Sequence, residues 1–191
     1  MGLLTRPLCL TRPGVTTGRA CGLVPFEARY SGLVAGWVRS DDELFLLSPR
    51  TPGPLTPAKV IGWKQAGGDQ LVYCIAEDAE PWGYVELNPI PGRKGQWWVG
   101  HCLVAPYRRG KGIGLRMVRL VLDLAFDSRG ATAVSLVVFP HNFDAVRCYR
   151  VAGFAERREV YREFATRPGR HRMLYMSLDR DRYRSLGIRS V

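Results

Sequence analysis

Arg109, Gly112 and Gly114 stand in the spacing Arg-x-x-Gly-x-Gly, inside a loop, Arg108-Arg109-Gly110-Lys111-Gly112-Ile113-Gly114, that sets glycines among cationic side chains. An apolar pattern of helical period begins there: Ile113, Met117, Leu120, Val121 and Leu124 share one face, while Arg116, Arg119, Asp123 and Asp127 fall mostly off it. A helix opening in such a loop offers unpaired backbone N–H groups beside positive charge, which suits a phosphate. Two common phosphate motifs fail on spacing. No pair of glycines four residues apart is followed by Lys and Ser or Thr. The glycine that a dinucleotide fingerprint needs three positions after its second glycine is here Leu115 or Met117.

A second group of residues lies downstream. Asn142 sits where a helix would be capped, Ala145 and Tyr149 follow at spacings that keep them on one side, and Gly153-Phe154 ends the segment. A phenol with an ordinary pKa of about 10 is protonated at neutral pH and able to donate. The plainer reading of Tyr149 is an aromatic ring packing a helix on a sheet, and of Asn142 a cap. Two side chains could take a proton. Glu86 lies in the alternating run Tyr84-Val85-Glu86-Leu87-Asn88, where it could equally be a solvated outer-face residue. His101 has the strand parity opposite to Trp98 and Gly100, so it faces the other side unless a bulge turns it.

These residues need a scaffold. Within the stretch Gln96 to Phe126, Trp97 to Val104 reads as a strand rich in aromatic and β-branched residues, followed by the glycine loop and a helix. Ala133 to Phe139 is an almost continuous apolar run of the kind buried on both faces, so strand, loop, helix and strand form one crossover unit with parallel strands. Upstream, Cys21 to Phe26, Leu71 to Ala76 and Trp82 to Leu87 read as strands. Tyr30 to Val38, Asp41 to Leu47 behind an N-capping Ser40, and Pro57 to about Ala66 behind Thr56 read as helices. The prolines at 49, 52, 54 and 57 impose a stiff loop. Phe154 to Tyr161 and His171 to Leu178 supply two more strands. The fold class is α/β (α+β), with a single domain expected over residues 21–179, a mobile arm over 1–20 and a basic tail over 180–191.

At 191 residues the chain can bury one sizeable core. Its net charge of +11 favours anionic ligands, yet no run of five like charges appears. Five cysteines without a C-x-x-C pair, and three histidines without zinc spacing, point to reduced thiols and no metal. Arg6, Pro7, Arg12 and Pro13 interrupt the N-terminal apolar residues too often for a secretory signal, and no apolar stretch reaches transmembrane length. The cytoplasm is the default compartment. A monomer or homodimer is expected, with neither membrane nor nucleic acid as partner; a basic nucleic-acid-binding module is the competing class.

The strings Arg109-x-x-Gly112-x-Gly114 and Asn142-x-x-Ala145-x-x-x-Tyr149-x-x-x-Gly153-Phe154, in that order, resemble the two signatures of the GNAT-type N-acetyltransferase superfamily. With the preceding strands they cover about the C-terminal half. The resemblance implies a mixed central sheet of about six to seven strands, splayed parallel middle strands and about four flanking helices. It implies acetyl-coenzyme A as co-substrate, with no metal, and direct attack by a primary amine on the thioester. In that reading Cys102, Leu103 and Val104 offer backbone groups to the pantetheine and the acetyl carbonyl. Arg109, Gly110, Lys111, Gly112, Ile113 and Gly114 surround the pyrophosphate, Asn142 touches the pantetheine, and Tyr149 protonates the leaving thiolate.

The resemblance also marks departures. Relatives that keep a catalytic glutamate in the buried strand would have it at Val137, and those with a Glu or His on the splayed strand would have it at Trp98 or Gly100. Glu86 is then the better base candidate, ahead of His101, a water chain or no base. The acceptor is a protein N-terminus or a small amine; an aminoglycoside or polyamine would want an acidic cleft, which Asp41, Asp42, Glu43, Glu77, Asp78 and Glu80 supply only if they converge. The proline-rich loop and the Arg162 to Arg170 turn could flank the acceptor, with Trp37, Trp63 and Trp98 as walls.

Overall fold

The apolar runs of the chain become seven strands in one sheet. They are Gly22–Pro25 (β1), Leu71–Glu77 (β2), Glu80–Pro89 (β3), Gln96–Val104 (β4), Ala133–Val138 (β5), Ala155–Phe164 (β6) and Arg167–Asp179 (β7), in the order β1-β2-β3-β4-β5-β7-β6. The computed structural model describes residues 22–63, 71–77 and 80–187. The N-terminal arm, the glycine end expected near 67–69 and the turn residues Asp78 and Ala79 lie outside them. Within the described residues β4 and β5 are the parallel pair and every other pairing is antiparallel.

Local chemistry explains the helices. Ser40 Oγ accepts from the Glu43 N–H at 3.2 Å and Glu43 Oε2 accepts from the Arg39 N–H at 2.9 Å, so the helix Asp41–Leu47 (α2) starts on a reciprocal cap. Thr56 caps Pro57–Gly62 (α3) through the Lys59 N–H at 3.3 Å, and Lys59 Nζ donates to Pro52 O and Pro54 O at 2.6 and 2.7 Å, which ties down the proline loop. Ser31–Gly36 (α1) precedes them. Ile113–Asp123 (α4) buries Met117, Val118, Val121 and Leu122 against the sheet and then widens into a π-helical turn, Leu124–Ser128. Phe143–Val151 (α5) follows β5. Truncating a fully buried residue such as Leu122 to Ala in this layer costs about 2–5 kcal/mol.

Two expectations change. The stretch from residue 180, expected as a tail, opens with the helix Arg180–Ser185 (α6). Its Tyr183 stacks on Phe126 at 4.5 Å and donates to Asp123 Oδ1 at 2.6 Å, while Arg180 Nε donates to Ala131 O and Arg182 Nε to Gly153 O, both at 2.8 Å, so contacts of several kinds hold a segment whose charge had suggested a free end. It raises the α-helices among the described residues to six, three of them short ones between β1 and β2. The turn expected over 162–170 shrinks to Ala165 and Thr166, because β6 and β7 continue their ladder to Phe164 and Arg167.

Candidate active site

The parallel pair opens early. β4 and β5 are in register only at Gln96–Ala133, Trp97–Val134 and Trp98–Ser135, although β4 runs on to Val104 and β5 to Val138. Beyond Trp98 the β5-facing edge of Val99–Val104, which includes Cys102, Leu103 and Val104, has no strand partner. Backbone polar groups in such a gap call for a ligand or water.

At the open end of the gap stands the glycine loop. Gly110 and Gly112 have φ of +72° and +77°, and a side chain there would meet only open space, so backbone conformation is what requires glycine. Gly112 is the N-cap of α4 and brings no capping side chain, which leaves first-turn N–H groups for an anion. A Cβ on Gly114 would make only ordinary contacts, with Val104 at 3.6 Å. The Arg109 side chain is turned inward: Nε donates to Val104 O at 2.9 Å, Nη2 to Trp37 O at 3.0 Å, and the guanidinium pairs with Glu43 at 2.5 Å. Lys111 donates to Tyr107 O at 3.1 Å on the exposed side of the loop, and Ile113 packs against the core.

One face of β4 meets Tyr149. Cys102 and Val104 point toward α4 and α5, and the Tyr149 phenol, buried against Phe154, is close enough to the Cys102 thiol for each to raise or lower the other's proton affinity. Burial pushes the phenol well above its usual value, the Cys102 thiol up to about 12 and the Cys148 thiol up to about 11. All three therefore hold their protons at neutral pH, and the phenol is a donor. Asn142 occupies the N-cap position of α5, but its side chain makes no capping hydrogen bond.

The opposite face holds Glu86. The β3–β4 register passes from Val85–Cys102 to Leu87–Val99, so Gly100 and His101 together oppose Glu86 in a bulge. That extra residue leaves His101 on the side of Leu103 and Ala105 and opposite Trp97 and Val99, with which alternation from the start of β4 would have placed it. Glu86, 2% exposed, accepts at Oε1 from Tyr84 O–H at 2.7 Å and contacts His101 Nδ1 at 2.8 Å. His101 Nε2 lies 2.9 Å from Ser48 Oγ, Ser48 lies 2.7 Å from Thr51 Oγ1, and Thr51 accepts from Trp63 Nε1 at 2.9 Å. Trp63 also stacks on the imidazole, centroids 4.1 Å apart. The solvated alternative for Glu86 is thereby excluded. Tyr84, Ser48 and Thr51 were missed in the sequence; for Tyr84 the period-two spacing to Glu86 was the available signal.

Beside the opening of the gap, a cleft of about 270 Å³ is lined by Ile90, Pro91, Trp98, Ser135, Val137 and Tyr175. Trp98 is 40% and Val137 38% exposed, whereas Trp37, expected as a wall, is core at 3%. The β6–β7 hairpin docks on the proline loop through Thr166 Oγ1 to Pro49 O, and Arg167 pairs with Asp42 at 2.7 Å. Of the described acids in that set, Asp42 pairs with Arg167 and Glu43 with Arg109, Glu80 accepts from Tyr107 at 3.3 Å, and Asp41 is exposed.

Residues 25–154 match the family model described as the acetyltransferase (GNAT) family, which is more than half of the chain. The chain belongs to the GNAT acetyltransferase family. Among individual relatives, it is 29% identical over 92 residues to an aminoglycoside N(6')-acetyltransferase type 1 of Klebsiella pneumoniae, covering 43% of this chain and 46% of the relative. It is 29% identical over 94 residues to the spermidine N(1)-acetyltransferase of Escherichia coli (strain K12), covering 49% of this chain and 48% of the relative. The chain thus spans about half the length of the curated relatives it matches.

Solved GNAT folds align over most of the chain. An aminoglycoside acetyltransferase in complex with coenzyme A superposes with a TM-score of 0.68 at 20% identity, over 88% of this chain and 100% of that one. A spermidine N-acetyltransferase from Vibrio cholerae in complex with coenzyme A and spermine gives 0.71 at 17%, over 85% and 97%. Those likenesses speak to the fold. Coenzyme A fits this chain's own features: the unpaired edge of β4, the left-handed glycines and the uncapped start of α4 offer backbone donors along one line. No helix among the described residues is long and apolar enough to cross a membrane.

Proposed function

We propose that this GNAT protein transfers the acetyl group of acetyl-coenzyme A to a primary amine by direct attack of nitrogen on the thioester. One observation carries the reading: His101 and Cys102, adjacent in the splayed strand, point to opposite faces, one onto the Glu86 carboxylate and the other onto the Tyr149 phenol. A thioester lying in the gap between β4 and β5 has an acceptor of protons on one side and a donor on the other. The β5-facing edge at Cys102, Leu103 and Val104 would hold the pantetheine and an N–H there would stabilise the oxyanion. The backbone of Arg109 through Gly114 would bind the pyrophosphate, and Asn142, free of a capping role, the pantetheine.

In the reaction the N–C bond forms and the C–S bond breaks. Glu86 takes the proton that nitrogen loses, and Tyr149 gives its proton to sulfur. The Arg109 side chain acts as a brace for the loop, leaving its main chain to the anion.

The acceptor follows from the walls. The described acids at 42, 43 and 80 already have partners, the chain carries net charge +11, and the open cleft beside Trp98 is apolar. A small amine or protein N-terminus on an apolar body fits these features better than a polyamine. The test is a panel of N-terminal peptides, arylalkyl amines, spermidine and kanamycin, read by free-thiol release, alongside thermal stabilisation by acetyl-coenzyme A. Thiol release with the apolar monoamines or peptides is expected. Absence of both release and stabilisation, with salt-dependent binding to random DNA, would favour the nucleic-acid class.

A further inference from the structure

We infer that Ser48, Thr51 and Trp63 form a hydrogen-bond chain of fixed direction that positions His101, and through it Glu86, for proton removal from the acceptor amine. The inference rests on the proposed role of Glu86 as base. Its ends are chemically irreversible. The Trp63 indole N–H can only donate, and an ionised Glu86 carboxylate can only accept. Between them stand two hydroxyls and an imidazole, and a hydroxyl or a neutral imidazole can both donate and accept.

With the imidazole neutral, only one assignment uses every contact. Glu86 Oε1 needs a proton on His101 Nδ1, so Nε2 of the neutral ring is an acceptor. Ser48 O–H then donates to Nε2, which requires Thr51 O–H to donate to Ser48, and the lone pair left on Thr51 takes the Trp63 N–H. Ser48 is 4% exposed, so water is poorly placed to replace either of its links, to His101 and to Thr51. Trp63 acts twice, since its ring also covers the imidazole at an interplanar angle of 16°.

The result is an oriented carboxylate. Oε1 is occupied by Tyr84 and His101, while Oε2 has no hydrogen bond among the described residues. Oε2 stands over Gly100, 2.5 Å from where a Cβ there would lie, with the unpartnered Asn88 Nδ2 2.8 Å from the same point. The free oxygen of Glu86 therefore fills the space that a side chain at position 100 would have taken. Ser48, Thr51 and Trp63 touch no reacting atom; they are positioning residues.

The test combines imidazole nitrogen NMR on the full chain, labelled at histidine and assigned with His101→Asn, with steady-state kinetics on the best amine of the panel. Wild type is expected to carry the neutral His101 proton on Nδ1. Ser48→Ala should lower kcat ~10- to 100-fold, the range for losing a partner that orients a functional histidine, with the KM for acetyl-coenzyme A within about threefold and the His101 nitrogen shifts moved. Thr51→Val and Trp63→Phe, which keeps the stacked ring, should give smaller losses that do not add to Ser48→Ala. They also serve if Ser48→Ala does not fold. A wild-type proton on Nε2, variants with kcat within twofold of wild type and unmoved His101 shifts, or an acetyl group on Ser48 by peptide mass would each overturn the inference. Should no amine be acetylated, the proton position on wild-type His101 still decides whether the chain runs in this direction.

Discussion

The two faces of β4 are built in opposite ways. The face at Cys102, with the glycine loop that follows it, takes its parts from consecutive residues of one crossover and from the next helix, α5, which carries Tyr149 near its end. The face at His101 gathers Ser48, Thr51, Trp63, Tyr84 and Glu86 from a helix end, a proline loop, a second helix end and a neighbouring strand. Backbone donors are set by local φ angles and can be written in a short string. A side-chain base has to be brought in by packing, and its members need no fixed spacing.

The sharpest way to separate the faces is Glu86→Gln, which keeps the shape and removes the proton acceptor. Turnover should fall ~10²- to 10⁴-fold with the KM for acetyl-coenzyme A nearly unchanged; near-wild-type turnover would leave the His101 face without a chemical role. Tyr149→Phe probes the other face and should lower turnover by ~10²-fold, again with coenzyme A affinity preserved in a binding assay. The glycine loop answers to a different measurement. Gly112→Ala forces an L-residue to φ +77°, so about 1–2 kcal/mol of stability and ~3–8 °C of Tm should be lost, together with acetyl-coenzyme A affinity. A Tm equal to wild type would show that the loop adopts another conformation.

The smallest effect is on stability against pH. Cys102 and Cys148 are raised in the folded chain to about 12 and 11 from an ordinary 9.0. Groups raised on folding give stability that is fully present below the unfolded value and lost as pH climbs toward the folded one. Tm should therefore be level up to about pH 8.5 and decline from about pH 9 upward; both thiols should resist iodoacetamide at pH 8. A Tm unchanged to pH 11 would mean that these thiols ionise alike folded and unfolded.

How much of this was legible in the sequence follows the same division. The caps at Ser40 and Thr56, the strands and the glycine loop each show themselves within a few residues, so periodicity and spacing expose them. The parallel pair could be anticipated because a glycine turn and an apolar helix link two strands. His101 could not be placed, since one extra residue in β4 reverses its side and nothing in Val99-Gly100-His101-Cys102 announces the bulge. Ser48 is 53 residues away from the imidazole it touches, and only tertiary packing brings it there. The segment from residue 180 read as a tail on its charge, yet two of its arginines and Tyr183 bind it to the body of the fold through partners far away in sequence.

Helix α2 connects the two halves. Its first turn holds Arg109 of the glycine loop through Glu43, and the residue that ends it, Ser48, touches His101. Phe45 between them is pinned against Phe139 and Phe164, with Arg167 over its ring at 4.3 Å. A strut roughly 10 Å long thus fixes the glycine loop and the His101 hydrogen-bond network to one rigid piece. The two halves are consequently not separable modules: a chimera that imports a new acceptor wall by replacing residues 40–63 also removes the counter-ion of Arg109. Grafts that preserve Glu43 and Ser48 while varying Trp98, Val137 and Tyr175 respect the way the molecule is divided.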